Sequence, residues 1–354
     1  MADFDFDESL LVELTEAHGV PGYEDAVRDV VRREFAAASA VEQVRSDAMG
    51  NLVGTIEGSE NPEYEVVVAA HMDEIGFMVR NVDDDGFLQV DALGGWDPEV
   101  LRAQRVVVHT DDEELLGVIG SIPPHSGGSD DDDERGVHDV DVDLGLPADE
   151  VRERVAVGDR VSTTQSTEVV GDCINGKALD NRVSVFALCA LADRLDDPAV
   201  TVHLAATVQE EVGLRGAEAI GVDLAPDLAL NLDTTVANDV PETDDDKYVT
   251  KLGAGAGIKF KDSSVIPNRK VVDRLRSVAA DRDVPVQHEV LPAGGTDTAG
   301  FQRSSGPTPV GAISFPTRYL HTPVESVHGN DVAAAIDLAE AFLATETGDH
   351  DYRL

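Results

Sequence analysis

The stretch Val66-Val-Val-Ala-Ala-His71-Met-Asp73 is a run of five apolar residues ended by a histidine and, two positions on, a carboxylate. The run reads as a strand. The same arrangement recurs twice. Val202 to Val208 leads into Glu210-Glu211, and Leu228-Ala-Leu-Asn-Leu232 leads into Asp233. In open α/β sheets, sites form at the carboxyl ends of the strands. Three separate strands therefore bring metal-type side chains to one sheet edge.

Two further positions have the same chemistry: Asp180 in Ala-Leu-Asp-Asn-Arg and His321 in Arg-Tyr-Leu-His-Thr-Pro. Two histidines and several carboxylates suit two divalent ions that share a carboxylate, with a water between them. His71 and Asp73 point to one side of an extended segment, so the carboxylate can hold the imidazole. Glu210 and Glu211 are adjacent, and extended geometry sends them different ways. One can ligate while the other faces the water as a base, and Gly213 then permits a sharp turn.

Outward from these motifs, the chain alternates helix and strand at both ends. The spacing predicts helices at Leu10 to Leu14, Glu24 to Ala37, Asn181 to Leu195 and Arg215 to Ile220, and strands at Asn51 to Ile56 and Glu65 to Ala70. Helix 181–195 carries Val183, Ala187, Ala190, Leu191 and Leu195 on one stripe, as packing on a sheet requires. Between Ile75 and Gln165 the rhythm changes to strand-like pieces broken by Asp84-Asp85-Gly86, Gly94-Gly95, Asp111-Asp112 and Gly127-Gly128, with one short helix at Ala148 to Arg154. A β-rich domain of residues 75–165 is thus expected to interrupt an α/β domain formed by 1–74 and 166–354. Gly253-Ala-Gly-Ala-Gly257 lacks the order of a phosphate loop and reads as a glycine-tolerant loop. The acidic runs Asp130 to Glu134 and Asp244 to Asp246 read as solvated tips.

The 354 residues include 70 acidic and 27 basic side chains, a formal charge of −43, and only six of the basic residues are lysine. Such a surface repels phosphate, so nucleic acids and anionic membranes are poor partners. Dispersed acidity with scarce lysine fits a protein kept soluble in concentrated salt. Cys173 and Cys189 form no CxxC pair, which suits a reducing cytoplasm. The first residues lack the features of a signal peptide, and no segment approaches the ~20 apolar residues of a membrane span.

Segments 71–77, 176–182, 209–217 and 316–325, with Gly94-Gly-Trp-Asp97, Ile122-Pro-Pro-His125 and Gly294-Gly-Thr-Asp297, resemble the M42 family of metallo-aminopeptidases, in the same order along nearly the whole chain. The resemblance implies a three-layer αβα metallopeptidase domain interrupted by a β-rich dimerisation domain, with dimers building a dodecamer. It implies one ion on His71, Asp180 and Asp233 and a second on Asp180, Glu211 and His321, with Asp180 as the bridge. Glu210 would be the general base, and Asp73 would orient His71. Peptides would be the substrates, and zinc the expected metal, with cobalt also suited. Rival readings are a deacylase of N-acyl amino acids, a glycosidase with a carboxylate pair, and a metal-bound scaffold. Histidines at ligand positions oppose the glycosidase, and Glu210 opposes the scaffold.

Overall fold

The computed structural model describes residues 4, 6–121, 136–241, 243–304 and 306–354. Expectations for Gly127-Gly128, the Ile122-Pro-Pro-His125 motif and the run Asp130 to Glu134 lie outside the described residues. The chain opens with α1 (Glu8–Glu16), α2 (Asp25–Ala37), β1 (Gln43–Ser46), β2 (Leu52–Ile56) and β3 (Asn61–His71). There follow β4 (Gly76–Val82), β5 (Leu88–Leu93), β6 (Gln104–His109), β7 (Glu114–Ile119), β8 (Asp141–Asp143), α3 (Ala148–Arg154) and β9 (Arg160–Thr163). The second half holds β10 (Glu168–Val170), β11 (Cys173–Gly176), α4 (Leu179–Arg194), β12 (Val200–Thr207), α5 (Arg215–Leu224), β13 (Leu228–Val236) and β14 (Ala256–Lys261). It ends with α6 (Arg269–Asp281), β15 (Val286–Val290), α7 (Asp297–Ser304), β16 (Val310–Arg318), β17 (Glu325–His328) and α8 (Gly329–Ala344).

At the centre of the large sheet β12, β3, β13 and β16 run parallel. Antiparallel strands flank them: β2 and β1 beyond β12, and β17, β11 and β10 beyond β16, with β14 and β15 branching from β16. The apolar run of β3 has a simple cause. Val66, Val68 and Ala70 join the larger core under α1, α2, α4, α6 and α8, while Val67 and Ala69 join a second core with Ala217, Ile220, Ala299 and Phe301 of α5 and α7. A strand covered on both faces has no polar side, so alternation is absent. The molecule is α/β, with helices on both faces of this sheet.

Between β3 and β10, the strands β4, β5, β8, β7, β6 and β9 close into a barrel. Phe77, Val79, Val90, Val106, Val108 and Val161 fill it, and α3 contributes Val151. Closure removes the free edges that an open small sheet would present. The turns at Asp84-Asp85-Gly86 and Asp111-Asp112 are the β4–β5 and β6–β7 connections, and Gly86 adopts φ +93°.

Helix α4 departs from the expected single stripe. Of residues 181–192 only Ala190 is not fully buried, and even Arg182 and Ser184 are covered. The reason is its position between the sheet and α1, α2 and α8. Arg182 is tolerated there because its guanidinium donates to the carbonyls of Met72 at 2.6 Å, Leu14 at 2.5 Å and Ala17 at 2.8 Å. One buried cation thus ties the end of β3 to the end of α1. Beside it Lys177 donates to Glu74 at 2.7 Å, both fully buried. Removing Glu74 would strand the buried Lys177 charge, at a cost of about 3–5 kcal/mol.

The loop Gly253–Gly257 is an anion nest filled from within. The amides of Gly253 and Gly255, both at positive φ, each donate to the Asp331 carboxylate at 2.7 Å. Asp244 to Asp246 is exposed, as expected of a solvated tip.

Candidate metal centre

Parallel registry sets the height of the first candidate ligands. His71 pairs with Thr207 of β12, and Ala69 pairs with Asn231 of β13, so His71 at the end of β3 and Asp233 within β13 stand at one level. Asp180 enters from the start of α4, where Asp180 and Asn181 have non-helical torsions and the peptide between them is cis. Asn181 Nδ2 donates to the carbonyl of Leu232 at 3.0 Å and anchors this turn to β13. His321 comes from the β16–β17 connection.

These residues converge. His71 Nε2 lies 3.4 Å from Asp180 Oδ1 and 3.8 Å from Asp233 Oδ1. His321 Nε2 lies 3.5 Å from Asp180 Oδ2 and 3.6 Å from Glu211 Oε2. Asp180 therefore turns one oxygen to each histidine. These separations are too long for good hydrogen bonds. They match the spacing of atoms around a shared tetrahedral ion, about 3.4 Å apart for bonds of about 2.1 Å. The sets His71/Asp180/Asp233 and Asp180/Glu211/His321 each place ligand atoms within 4.8 Å of one another, as does His71/Glu210/Glu211.

Both imidazoles are held the same way. His71 Nδ1 is 3.1 Å from the carbonyl of Asp73, and His321 Nδ1 is 2.8 Å from the carbonyl of Gly95. Donation there puts the proton on Nδ1 and leaves Nε2 free to ligate. The Asp73 carboxylate is farther from His71 Nδ1, at 3.6 Å. It instead accepts from the amides of Glu210 and Glu211, both at 3.0 Å, and so clamps that loop. Glu210 and Glu211 sit in a turn rather than an extended segment. Gln209 has φ +56° and Gly213 φ +118°, and the amide of Gly213 donates to the Glu210 carbonyl at 2.9 Å. The turn is why adjacent glutamates can both face the cluster.

Glu325 and Asp297 join the site without having been assigned roles from the sequence. The Glu325 carboxylate accepts from the amides of Asp180 and His321, both at 2.8 Å, and so binds these two segments together. It lies within the 316–325 motif, but spacing alone does not mark a backbone clamp. Asp297 is buried, accepts from the Thr207 hydroxyl at 2.5 Å on Oδ2, and leaves Oδ1 without a partner.

So many carboxylates need positive charge nearby. Without ions, protons supply it. The His321 imidazole, despite burial, is raised to about 10 by Asp180, Glu211 and Glu325. His71 is likewise raised against its burial, by Asp180 and Asp73. Burial, with neighbouring carboxylates, raises Glu210 and Asp233, and pushes Glu211 up to about 7. Asp180 is held low, because His321 and His71 outweigh its burial. Its Oδ1 is nonetheless buried without a hydrogen-bond partner. A buried carboxylate that turns one oxygen to each of two imidazole Nε2 atoms, with one of those oxygens partnerless, fits divalent cations. His71 and Asp233 are 2% and 5% exposed and His321 39%, so the cluster opens toward the His321 side. A cavity of about 780 Å³ adjoins it there.

The model of the family described as M42 glutamyl aminopeptidase matches residues 50–338. The lysyl aminopeptidase of Pyrococcus furiosus is 33% identical over 347 residues, covering 95% of this chain and 96% of its own. Aminopeptidase APDkam598 from Desulfurococcus kamchatkensis superposes with a TM-score of 0.91 at 36% identity, over 96% of this chain and 94% of that one. The TET1 peptidase of Pyrococcus horikoshii, described as assembling into a tetrahedron or a large octahedral shell, gives a TM-score of 0.85 at 32% identity, over 96% and 99% of the two chains.

Proposed function

The chain belongs to the M42 aminopeptidase family and is a peptidase; on that premise we propose that it is a dinuclear metal-dependent aminopeptidase removing N-terminal residues from peptides. One observation carries the dinuclear reading: Asp180 presents Oδ1 to His71 and Oδ2 to His321, and so can serve two ions at once. His71 and Asp233 would complete one ion's ligands, and Glu211 and His321 the other's. Imidazole with carboxylate suits zinc, and cobalt fits the same donors. When bound, the ions would supply Lewis acidity and lower the pKa of water at the site.

The chain's own groups do the rest. Glu210, in the turn clamped by Asp73, takes a proton from the attacking water on its carboxylate and delivers it to the leaving amine nitrogen. Asp73 and Glu325 fix the backbone of four of the participating residues, which keeps the geometry within the narrow tolerance that positioning demands. Dialysis against a chelator is expected to abolish peptidase activity, and zinc or cobalt to restore it. Ligation needs deprotonated ligands, and His321 holds its proton up to about pH 10 in the ion-free site. Metal affinity should therefore rise with pH through neutrality, with proton release seen by calorimetry in buffers of different ionisation enthalpy. Active protein free of divalent metal would refute this reading.

The domain division 1–74 and 166–354 around 75–165 is part of the proposal, with the barrel as the dimerisation unit. Its β7 turns Leu116 and Val118 outward, 73% and 44% exposed. Self-association has support in the tetrahedron and large octahedral shell described for the TET1 relative, and assembly through dimers into a dodecamer is the form we propose. The two free cysteines support a reducing cytoplasm.

Adaptation to concentrated salt is the last element. At a charge of −43, subunit contacts meet self-repulsion. The Debye length falls from ~10 Å at ~0.1 M salt to ~3 Å at ~1 M. A large, active oligomer is expected in molar KCl, dissociating and losing activity as salt is lowered. Light scattering and peptidase assays across a salt series test this. Constant mass and activity throughout would end the salt argument and leave the peptidase assignment standing.

A further inference from the structure

We infer that this peptidase prefers a neutral, apolar N-terminal residue of the leucyl type over glutamyl or lysyl residues. The inference rests on the aminopeptidase reading above and deepens it. The cavity beside the metal centre has a volume of about 780 Å³, within the range of substrate pockets. Its charged lining, among the described residues, is confined to the metal-centre residues themselves, which are His71, His321 and the four carboxylates of Asp180, Glu210, Glu211 and Asp233. Beyond these, the walls are apolar or neutral. Leu214, Val236, Val249, Leu291 and Leu320 line it, all half-buried, so their apolar surface is only partly covered. The remaining lining consists of small residues, proline, and neutral threonine and asparagine side chains.

A glutamyl side chain entering this space needs a lysine or arginine to replace its water, and a lysyl side chain needs a carboxylate outside the metal centre. Among the described residues, neither lines the cavity. Burying such a charge without a partner is costly, whereas a leucyl side chain covers the exposed parts of Leu291 and Leu320 and loses only its own unfavourable hydration. Gly294 helps to shape this wall. Its φ is +87°, and a Cβ there would sit 3.4 Å from Leu291 Cδ2, against the side chain that faces the cavity. The overall charge of −43 does draw cationic peptides. That attraction acts on encounter and is screened in molar salt, so it supplies no pocket for an ammonium.

The test is kcat/KM for leucyl-, glutamyl- and lysyl-p-nitroanilide in molar KCl with zinc or cobalt, beside N-acetyl-leucyl-p-nitroanilide. The leucyl substrate should exceed both charged ones by at least ~10-fold, the scale at which a missing polar partner or apolar contact discriminates. Leu291→Lys should then lower the leucyl-to-glutamyl ratio by at least ~10-fold. Pro292→Arg, on the exposed rim of the same wall, should move it in the same direction. A ratio is insensitive to partial loss of folded enzyme. Glutamyl or lysyl turnover equal to or above leucyl in the unmodified protein would overturn the inference while leaving the aminopeptidase reading intact. Turnover of the N-acetyl substrate alone would overturn that reading, and the inference with it.

Discussion

Glu210→Gln is expected to keep its divalent metal and lose ~10²- to 10⁴-fold in kcat, the usual contribution of a general base. The substitution preserves size and the backbone amide that donates to Asp73, so the turn should stay in place. What it removes is the carboxylate proposed to exchange the proton. Glutamine cannot accept that proton, whatever the pH. Elemental analysis and steady-state kinetics on the same preparation separate the two effects. Near-normal turnover in the variant would remove Glu210 from the mechanism. Loss of metal in parallel with activity would make it a ligand, a role open to it geometrically because it lies within the His71/Glu210/Glu211 group.

Asp180→Ala should have the largest effect on metal content. Each of its oxygens faces a different histidine, which places this one side chain at both proposed ion positions. Replacing groups that merely support ligands costs about 10- to 100-fold in affinity or activity. Losing the shared ligand should exceed ~10²-fold at both positions, with activity falling to background. His321→Ala offers the contrast. It should empty the half of the site formed with Glu211 and spare the half formed with His71 and Asp233. Calorimetric titration with zinc would read two tight equivalents in the unmodified protein, one in His321→Ala and none in Asp180→Ala. Two tight equivalents in Asp180→Ala would end the bridging assignment.

Much of the candidate site's convergence was legible because candidate ligands at strand ends sit beside a signal that is local. The run 66–70 announces a strand, and the residue after it must lie at that strand's end. The same holds for Asp233 in outline, though the backbone pairing of β13 with β16 continues to Val236, so that residue lies within the strand rather than after it. Helix boundaries fared well for a similar reason: α3 spans Ala148–Arg154, and α2 starts one residue after the expected Glu24. The stripe on α4 misled because periodicity records one packed face, while three helices and a sheet bury the others. The Glu210–Glu211 geometry was not legible either. Extended alternation separates neighbours, but the positive φ at Gln209 and the Asp73 clamp fold them into a turn.

By itself the sequence determined the element types, the interruption of an α/β rhythm by a β-rich stretch, the acidic surface, and the residue kinds able to hold metal. All of these depend on short windows or on totals, which a linear chain displays directly. Only the tertiary structure decided that Asp180 turns one oxygen to each histidine, that Nδ1 of each is held by a carbonyl, and that Glu325 joins the Asp180 and His321 segments. Those depend on β3, β13, α4 and the β16–β17 connection meeting at one point. Distances between such remote segments are set by sheet registry and core packing, and no local pattern encodes them.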